Sequence, residues 1–178
     1  MIYGNRELFG FEWKHVTKTL VNNALCRAWF WLRGTRLGGG VDEICVLGAV
    51  AHQLSLLRNR LETLNNPQLG SMPADDVLRL IHNKLFEHHP ERPDDVVIAD
   101  NDKYSKHVVA PGCECYDSCF LVIINLQENI RIIGSPQFHT NDSNAQIEPN
   151  AIEVKIRKPD FLHIFDHATN DINIAINK

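Results

Sequence analysis

The stretch that decides the fold runs from Cys119 to Ser135 and reads CFLVIINLQENIRIIGS. It contains two apolar runs, 119–125 and 130–135, on either side of the short segment 126–129. Short apolar runs without alternation are typical of strands that are buried on both faces. A short polar connection between two such runs indicates an antiparallel hairpin. We therefore predict a central hairpin at this position.

Further strands are predicted on both sides of this hairpin. Residues 9–15 alternate between bulky and polar or small side chains, which predicts a half-buried strand. The run 25–32 is bulky on both faces and predicts an interior strand, followed by a tight turn at 33–35 and a short return strand at 36–37. Residues 152–157 alternate between aliphatic and charged side chains, which predicts a strand with one buried face.

Three segments show helical patterns. Leucine and other apolar residues recur at spacings of three and four from about residue 42 to residue 63. A second helix is predicted from Pro73, with two aspartates near the positive end of its dipole, and a last helix opens at Pro159 or Asp160. Strands, two helices, strands and a helix follow one another along the chain. This order predicts a single α+β domain over 1–178, with a mainly antiparallel sheet packed against two to three helices.

The polar segment 88–106 predicts a long exposed loop, with a brief extended piece at 96–98. Carboxylates on such a loop can pair with Lys and Arg of a basic partner and speed the encounter, although an acidic loop can also be merely solvated. The candidate partner-binding residues are Glu91, Asp94, Asp95, Asp100 and Asp102.

Composition limits the function classes. The 178-residue chain carries a net charge of -4, whereas nucleic-acid-binding domains are usually basic, so we expect no nucleic-acid partner. No apolar run approaches about 18 residues, so we expect no membrane span. The N-terminus lacks a basic region followed by an apolar core, so we expect no signal peptide. Five cysteines, an odd number, together with that absence predict reduced thiols and a cytoplasmic protein.

A cysteine cluster offers the main alternative chemistry. Cys113, Cys115 and Cys119 lie close together, with His107 and His139 nearby in sequence, and thiolate and imidazole are natural zinc ligands. The usual pairs of C-x2-C or H-x3-5-H are absent, so we favour ordinary turn and core cysteines. A zinc-stabilised protein-binding adaptor stays open as an alternative.

No motif marks a catalytic site. Cys and His residues are numerous enough for a small Cys/His hydrolase, which stays a second alternative. However, no local signature selects a nucleophile, and the serine-hydrolase motif G-x-S-x-G is absent. His163 and His167 are four residues apart and would share a helix face. No Glu follows His163, so the zinc-protease motif is absent, and we favour an exposed helix face over a metal site. Trp29-Phe30-Trp31 could stack on bases, but core packing is favoured. We therefore expect no enzyme and no cofactor.

Three parts of the chain resemble a known family. These are Met1-Ile2-Tyr3-Gly4-Asn5 before Phe9-Gly10-Phe11-Glu12, then 29–38 (WFWLRGTRLG) before a leucine-rich helix, and finally 153–156 (EVKI) leading to Asp160-Phe161-Leu162. They resemble the bacterial polymorphic-toxin immunity proteins of family forty-two in the numbered immunity series. Members have a similar M-[IL]-x-G-[ND] start and F-W-[IL]-x-G-x-x-[IL]-G hairpin. The segment 65–118 is not covered by these motifs, and the central insert with its cysteine cluster departs from the pattern.

The resemblance implies a function and a partner. Such proteins bind and neutralise the cognate C-terminal toxin domain that neighbouring bacteria deliver, often in contact-dependent growth inhibition. The resemblance also implies a cytoplasmic protein without cofactor or catalytic residues, and a toxin that is frequently a nuclease with a basic cleft. These families share no conserved toxin-binding motif, so no site residue is carried over.

Overall fold

A computed structural model of the chain describes residues 1–18, 24–40, 43–87, 90–109, 119–136 and 150–177. The strands are β1 (Ile2–Gly4), β2 (Phe9–Lys18), β3 (Ala24–Leu32), β4 (Thr35–Leu37), β5 (Cys45–Val46), β6 (Phe120–Leu126), β7 (Asn129–Ser135) and β8 (Ile152–Arg157). The helices are α1 (Leu47–Arg60), α2 (Pro67–Ser71), α3 (Ala74–Leu85), α4 (Asp94–Tyr104) and α5 (Lys158–Ile176). The predicted α+β class is confirmed.

The first sheet is antiparallel, with the order β1-β2-β3-β4 and with β5 also paired to β3. Alternation along β2 places Phe9, Phe11 and Trp13 on the inner face, where each is at most 4% exposed. The turn between β3 and β4 has positive φ at both Arg33 and Gly34, as a two-residue type I′ turn requires. The strands and the turn predicted for 9–15 and 25–37 are therefore confirmed.

The second sheet has the order β6-β7-β8 and is also antiparallel. Successive β6 residues enter different cores, because Ile123 packs with the first sheet, α1 and α5, whereas Ile124 packs with α2 and α3. Both side chains are completely buried. This sheet is the middle layer of the structure, so the prediction of a central hairpin is confirmed, as is the predicted strand at 152–157.

The first long helix begins later than predicted. Of the predicted 42–63 helix, residues 45–46 form β5 and pair with Leu25 and Cys26 of β3, so α1 starts only at Leu47. Its end agrees with the prediction, since α1 continues as a 3-10 turn over Leu61–Leu64. The start was wrong because the pairing of a two-residue strand with a distant strand leaves no periodic signal in the sequence.

The loop predicted for 88–106 is wrong. Residues 94–104 form α4, and the extended piece predicted at 96–98 lies in the middle of this helix. Pro93 occupies the N-cap position with extended backbone, and Asp94 and Asp95 follow in the first turn, where acidic side chains favour the helix dipole. The predicted helix after Pro73 shows the same arrangement and is confirmed as α3.

The cysteines differ from the expected reduced set. Cys45 is disulfide-bonded, so the expectation is wrong for that residue, whereas Cys26 and Cys119 form no disulfide. Cys119 packs partly buried against the larger core, as a small hydrophobe would. Cys113 and Cys115, two of the three cysteines considered as alternative zinc ligands, lie outside the described residues.

Candidate protein-binding surface

Helix α4 is fixed to the body of the protein by one ion cluster and one aromatic side chain. Asp100 accepts a hydrogen bond from Arg92, and its carboxylate lies 3.1 Å from Lys84 Nζ of α3. The side chains of Arg92 and Asp100 are each only 16% exposed. At the end of the helix, Tyr104 is 4% exposed and packs into the smaller core. The ion cluster of Asp100 and the side chain of Tyr104 are both largely sheltered from solvent, so they give α4 a defined orientation.

The remaining apolar residues of α4 face solvent. Ile98 is 61% exposed, and Val96 and Val97 are each 41% exposed. A helix on the surface of a globular protein normally turns such residues towards the core. Consecutive residues point to different sides of a helix, so the three do not form one patch, and Ile98, the most exposed, is the candidate contact for a protein partner.

Acidic residues surround the most exposed of these side chains. On an α-helix, residues three and four positions apart are neighbours on the surface. Asp94, Asp95 and Asp102 are four before, three before and four after Ile98, and all three are exposed. Ile98 therefore stands inside a partial ring of carboxylates. We use the term α4 surface for Glu91, Asp94, Asp95, Val96, Val97, Ile98 and Asp102.

The structure separates the five predicted acids into two groups. Glu91, Asp94, Asp95 and Asp102 are exposed on or beside α4. Asp100 instead points inward to Arg92 and Lys84, which makes it a positioning residue for the helix. A role in binding a partner stays a prediction for all five.

Sequence reasoning missed the apolar part of this surface. Three consecutive β-branched residues, Val96, Val97 and Ile98, suggested an extended piece. The sequence does contain a local signal for the start of this helix. Pro93-Asp94-Asp95 is a proline followed by two aspartates, as Pro73, Asp75 and Asp76 are at the start of α3.

The tryptophans of β3 form a packed layer and not an open platform. Trp29 is 5% exposed, and Lys14 Nζ and Arg36 Cζ lie 5.8 and 5.4 Å from its ring centroid. Trp31 donates its indole N–H to Glu12 Oε2 at 3.0 Å. Burial acts to raise the pKa of Glu12, but hydrogen bonds from Trp31 and Arg6 outweigh it and hold that pKa below its usual value. The packing interpretation of this segment agrees with the structure.

The comparison with known families decides the identity of the chain. The model of the family described as immunity protein 42 matches residues 1–170. This chain belongs to the immunity protein 42 family. The resemblance inferred from the motifs at both ends is thereby confirmed, and the match extends through 65–118, which those motifs left uncovered.

The fold of this immunity protein 42 member is found in a solved structure. The chain is similar to CdiI from Burkholderia dolosa AUO158, with a TM-score of 0.68 and 18% sequence identity. The similarity covers 96% of this chain and 99% of the CdiI chain, so the whole fold is shared. No curated protein sequence matches the chain.

The described residues of this immunity protein carry few of the groups that a metal site, a membrane span or a thiol nucleophile needs. They contain no group of three or more His, Cys, Asp or Glu side chains placed to hold a metal ion. No helix among them is long and apolar enough to cross a membrane. Of the thiols considered for a hydrolase, Cys26 is 0% exposed and Cys45 is disulfide-bonded, so neither presents a nucleophile to a substrate.

Proposed function

We propose that this immunity protein binds and neutralises the toxin domain of a contact-dependent growth inhibition system or a related polymorphic toxin system, and that the α4 surface makes the central contact. Family membership supports the general role. The observation that carries the surface assignment is the exposure of Ile98, which is 61% exposed inside a partial ring of carboxylates on a firmly attached helix.

The exposed apolar residues supply the free energy of such a contact. Burying an Ile side chain completely contributes about 1.5–3 kcal/mol, and most of the Ile98 side chain is still available for burial. Residues that dominate an interface lie at its centre, surrounded by weaker contacts that exclude water. Asp94, Asp95 and Asp102 have that surrounding position.

The carboxylates define the chemistry of the partner. They favour a surface with an apolar depression and a rim of Lys and Arg, and they accelerate association with it. A nuclease cleft carries such basic groups because it must hold phosphates. We therefore propose that the toxin is a nuclease and that α4 lies over its basic cleft, which excludes nucleic acid.

Neutralisation by this contact requires no catalysis by the immunity protein. The proposal assigns it no cofactor, no nucleic-acid ligand and no membrane. It also places the protein in the cytoplasm, where a delivered nuclease would find its substrate.

The test is a complex with the toxin domain encoded beside this gene. The purified chain should bind that domain, protect cells that express it, and show slower amide hydrogen exchange along α4 in the complex. No binding and no protection would overturn the proposed function. Binding with unchanged exchange in α4 and slower exchange elsewhere would overturn only the choice of surface.

A further inference from the structure

Two histidines on α5 form a pair that the proposed toxin contact does not use. His163 and His167 are one helical turn apart, and their ring centroids are 4.1 Å apart with an angle of 51° between the planes. Both residues are exposed. The spacing therefore brings two imidazoles to one place on the helix face.

The pair lines an open cavity of about 370 Å³ between α5 and the turn that joins β1 to β2. The floor is apolar and includes Phe9, Ile156 and Ile164. His163, His167 and Asp160 are the ionisable side chains that α5 contributes to its wall. The two rings thus have room on one side for a bound ion and its water ligands.

The geometry of the pair suits a late divalent transition metal. Zinc–imidazole bonds are about 2.0–2.1 Å long, so two nitrogens on a tetrahedral ion are about 3.3 Å apart. The metal–nitrogen bond extends outward from the ring, so two imidazoles on one tetrahedral ion have centroids about 5 Å apart, and side-chain rotations must widen the observed 4.1 Å by about 1 Å to admit the ion. Imidazole ligands favour zinc, nickel and copper over magnesium or calcium.

Asp160 can support the ion without ligating it. It precedes His163 by three residues on the same helix face, and its two carboxylate oxygens accept hydrogen bonds from Arg157 at 2.8 and 2.9 Å. Since this ion pair is exposed, it can rearrange. Because no three described groups are already placed as ligands, water must complete the coordination, and Asp160 can accept a hydrogen bond from such a water.

We propose that His163 and His167 form a two-histidine site for a divalent late transition metal, with water in the remaining coordination positions. This site is independent of the toxin contact, and it is distinct from the cysteine cluster considered for zinc.

Calorimetric titration of the chelator-treated full-length protein with NiCl2 or ZnCl2 at pH 7.5 tests the site. One ion per chain should bind, and His163→Gln and His167→Gln should each weaken binding at least tenfold. His52→Gln, which removes an exposed single histidine on α1, should change the affinity less than twofold.

Two results would overturn the proposal. One is the absence of saturable binding at millimolar metal. The other is binding that survives both histidine substitutions, which would assign the metal to other groups, because these variants keep all five cysteines. X-ray absorption of the zinc complex gives an independent readout: nitrogen and oxygen neighbours at about 2.0–2.1 Å support the site, and sulfur at about 2.3 Å contradicts it.

Discussion

Lys84 of α3 lies 3.1 Å from the carboxylate of Asp100 in α4, and this ion pair joins the two helices. Asp100 also accepts a hydrogen bond from Arg92, so one carboxylate neutralises two cations. The α4 surface that we propose therefore depends on Asp100, although this side chain points inward to Arg92 and Lys84. A preorganised helix loses less conformational entropy on binding than a mobile one.

Removal of that carboxylate should loosen α4 without unfolding the protein. In Asp100→Asn, Arg92 and Lys84 lose their partner, and we expect amide exchange in α4 to accelerate about tenfold, which corresponds to about 1.4 kcal/mol. Hydrogen exchange measured by mass spectrometry checks this. Asp102→Asn is the matched control, because Asp102 is exposed, and equal exchange rates in the two variants would contradict the positioning role.

Charge reversal on the outer side of α4 should act on the association rate. Asp94→Lys combined with Asp102→Lys replaces an attractive field with a repulsive one, so we expect association with the toxin domain to slow about tenfold or more at low salt. The salt dependence of the rate should also weaken. Stopped-flow measurements at two ionic strengths check both effects. Glu128→Lys changes an exposed acid in the turn between β6 and β7 and should leave the rate within a factor of two.

Acid should destabilise the protein through His107. Its ring is completely buried, with Nδ1 3.0 Å from the carbonyl oxygen of Ile123. Burial lowers the pKa of His107; the Ile123 hydrogen bond opposes this, and the charges of Lys106 and Arg60 add to the lowering. Because the unfolded chain then binds this proton more readily than the folded protein, the free energy of unfolding falls once the pH drops below about 6.5.

Urea unfolding of the wild type and His107→Gln at pH 7.0 and 5.5 measures this contribution. The variant should be less stable at pH 7.0 by about 1–2 kcal/mol, because the substitution alters the buried hydrogen bond to the Ile123 carbonyl. It should also lose less stability on acidification than the wild type. His52→Gln should retain the full pH dependence. An identical loss on acidification in His107→Gln and the wild type would show that His107 is not responsible.

Arg131 should be a major source of stability in the middle layer. It is 3% exposed, donates to the carbonyl oxygen of Leu69 at 2.7 Å, and donates to Glu153 Oε2 at 2.7 Å. Arg131→Met leaves these acceptors without their donor and should lower the free energy of unfolding by about 3–5 kcal/mol. Lys155→Met is its control, because Lys155 is 58% exposed and should cost less than about 1 kcal/mol. Similar losses in both variants, measured by urea unfolding, would refute this role.

The predicted parts of the fold are those that leave a periodic pattern. The alternation in β2 and β8 and the largely apolar runs of β6 and β7 reflect the local environment of each strand, so the sequence predicts these elements. Pairing of β5 with β3 joins residues distant in sequence, so no local pattern predicts it.

Helix α4 escaped prediction for a different reason. It is held by the ion pairs of Asp100 and by Tyr104, and not by an apolar stripe. Its apolar residues are consecutive and exposed, so they do not follow the helical period. The acids of the candidate surface were identified from charge alone, whereas Ile98 could be recognised only after the helix placed it among them.

The most direct test of the α4 surface is the affinity of Ile98→Ala for the cognate toxin domain, compared with Ile174→Ala. Both variants shorten an exposed isoleucine on a helix, at 61% and 46% exposure, so their effects on folding should be similarly small. If Ile98 is the centre of the interface, its truncation should cost about 2 kcal/mol or more, which is a loss of affinity of about thirtyfold, and Ile174→Ala should stay within threefold of the wild type. Wild-type affinity in Ile98→Ala would contradict the assignment of toxin binding to α4.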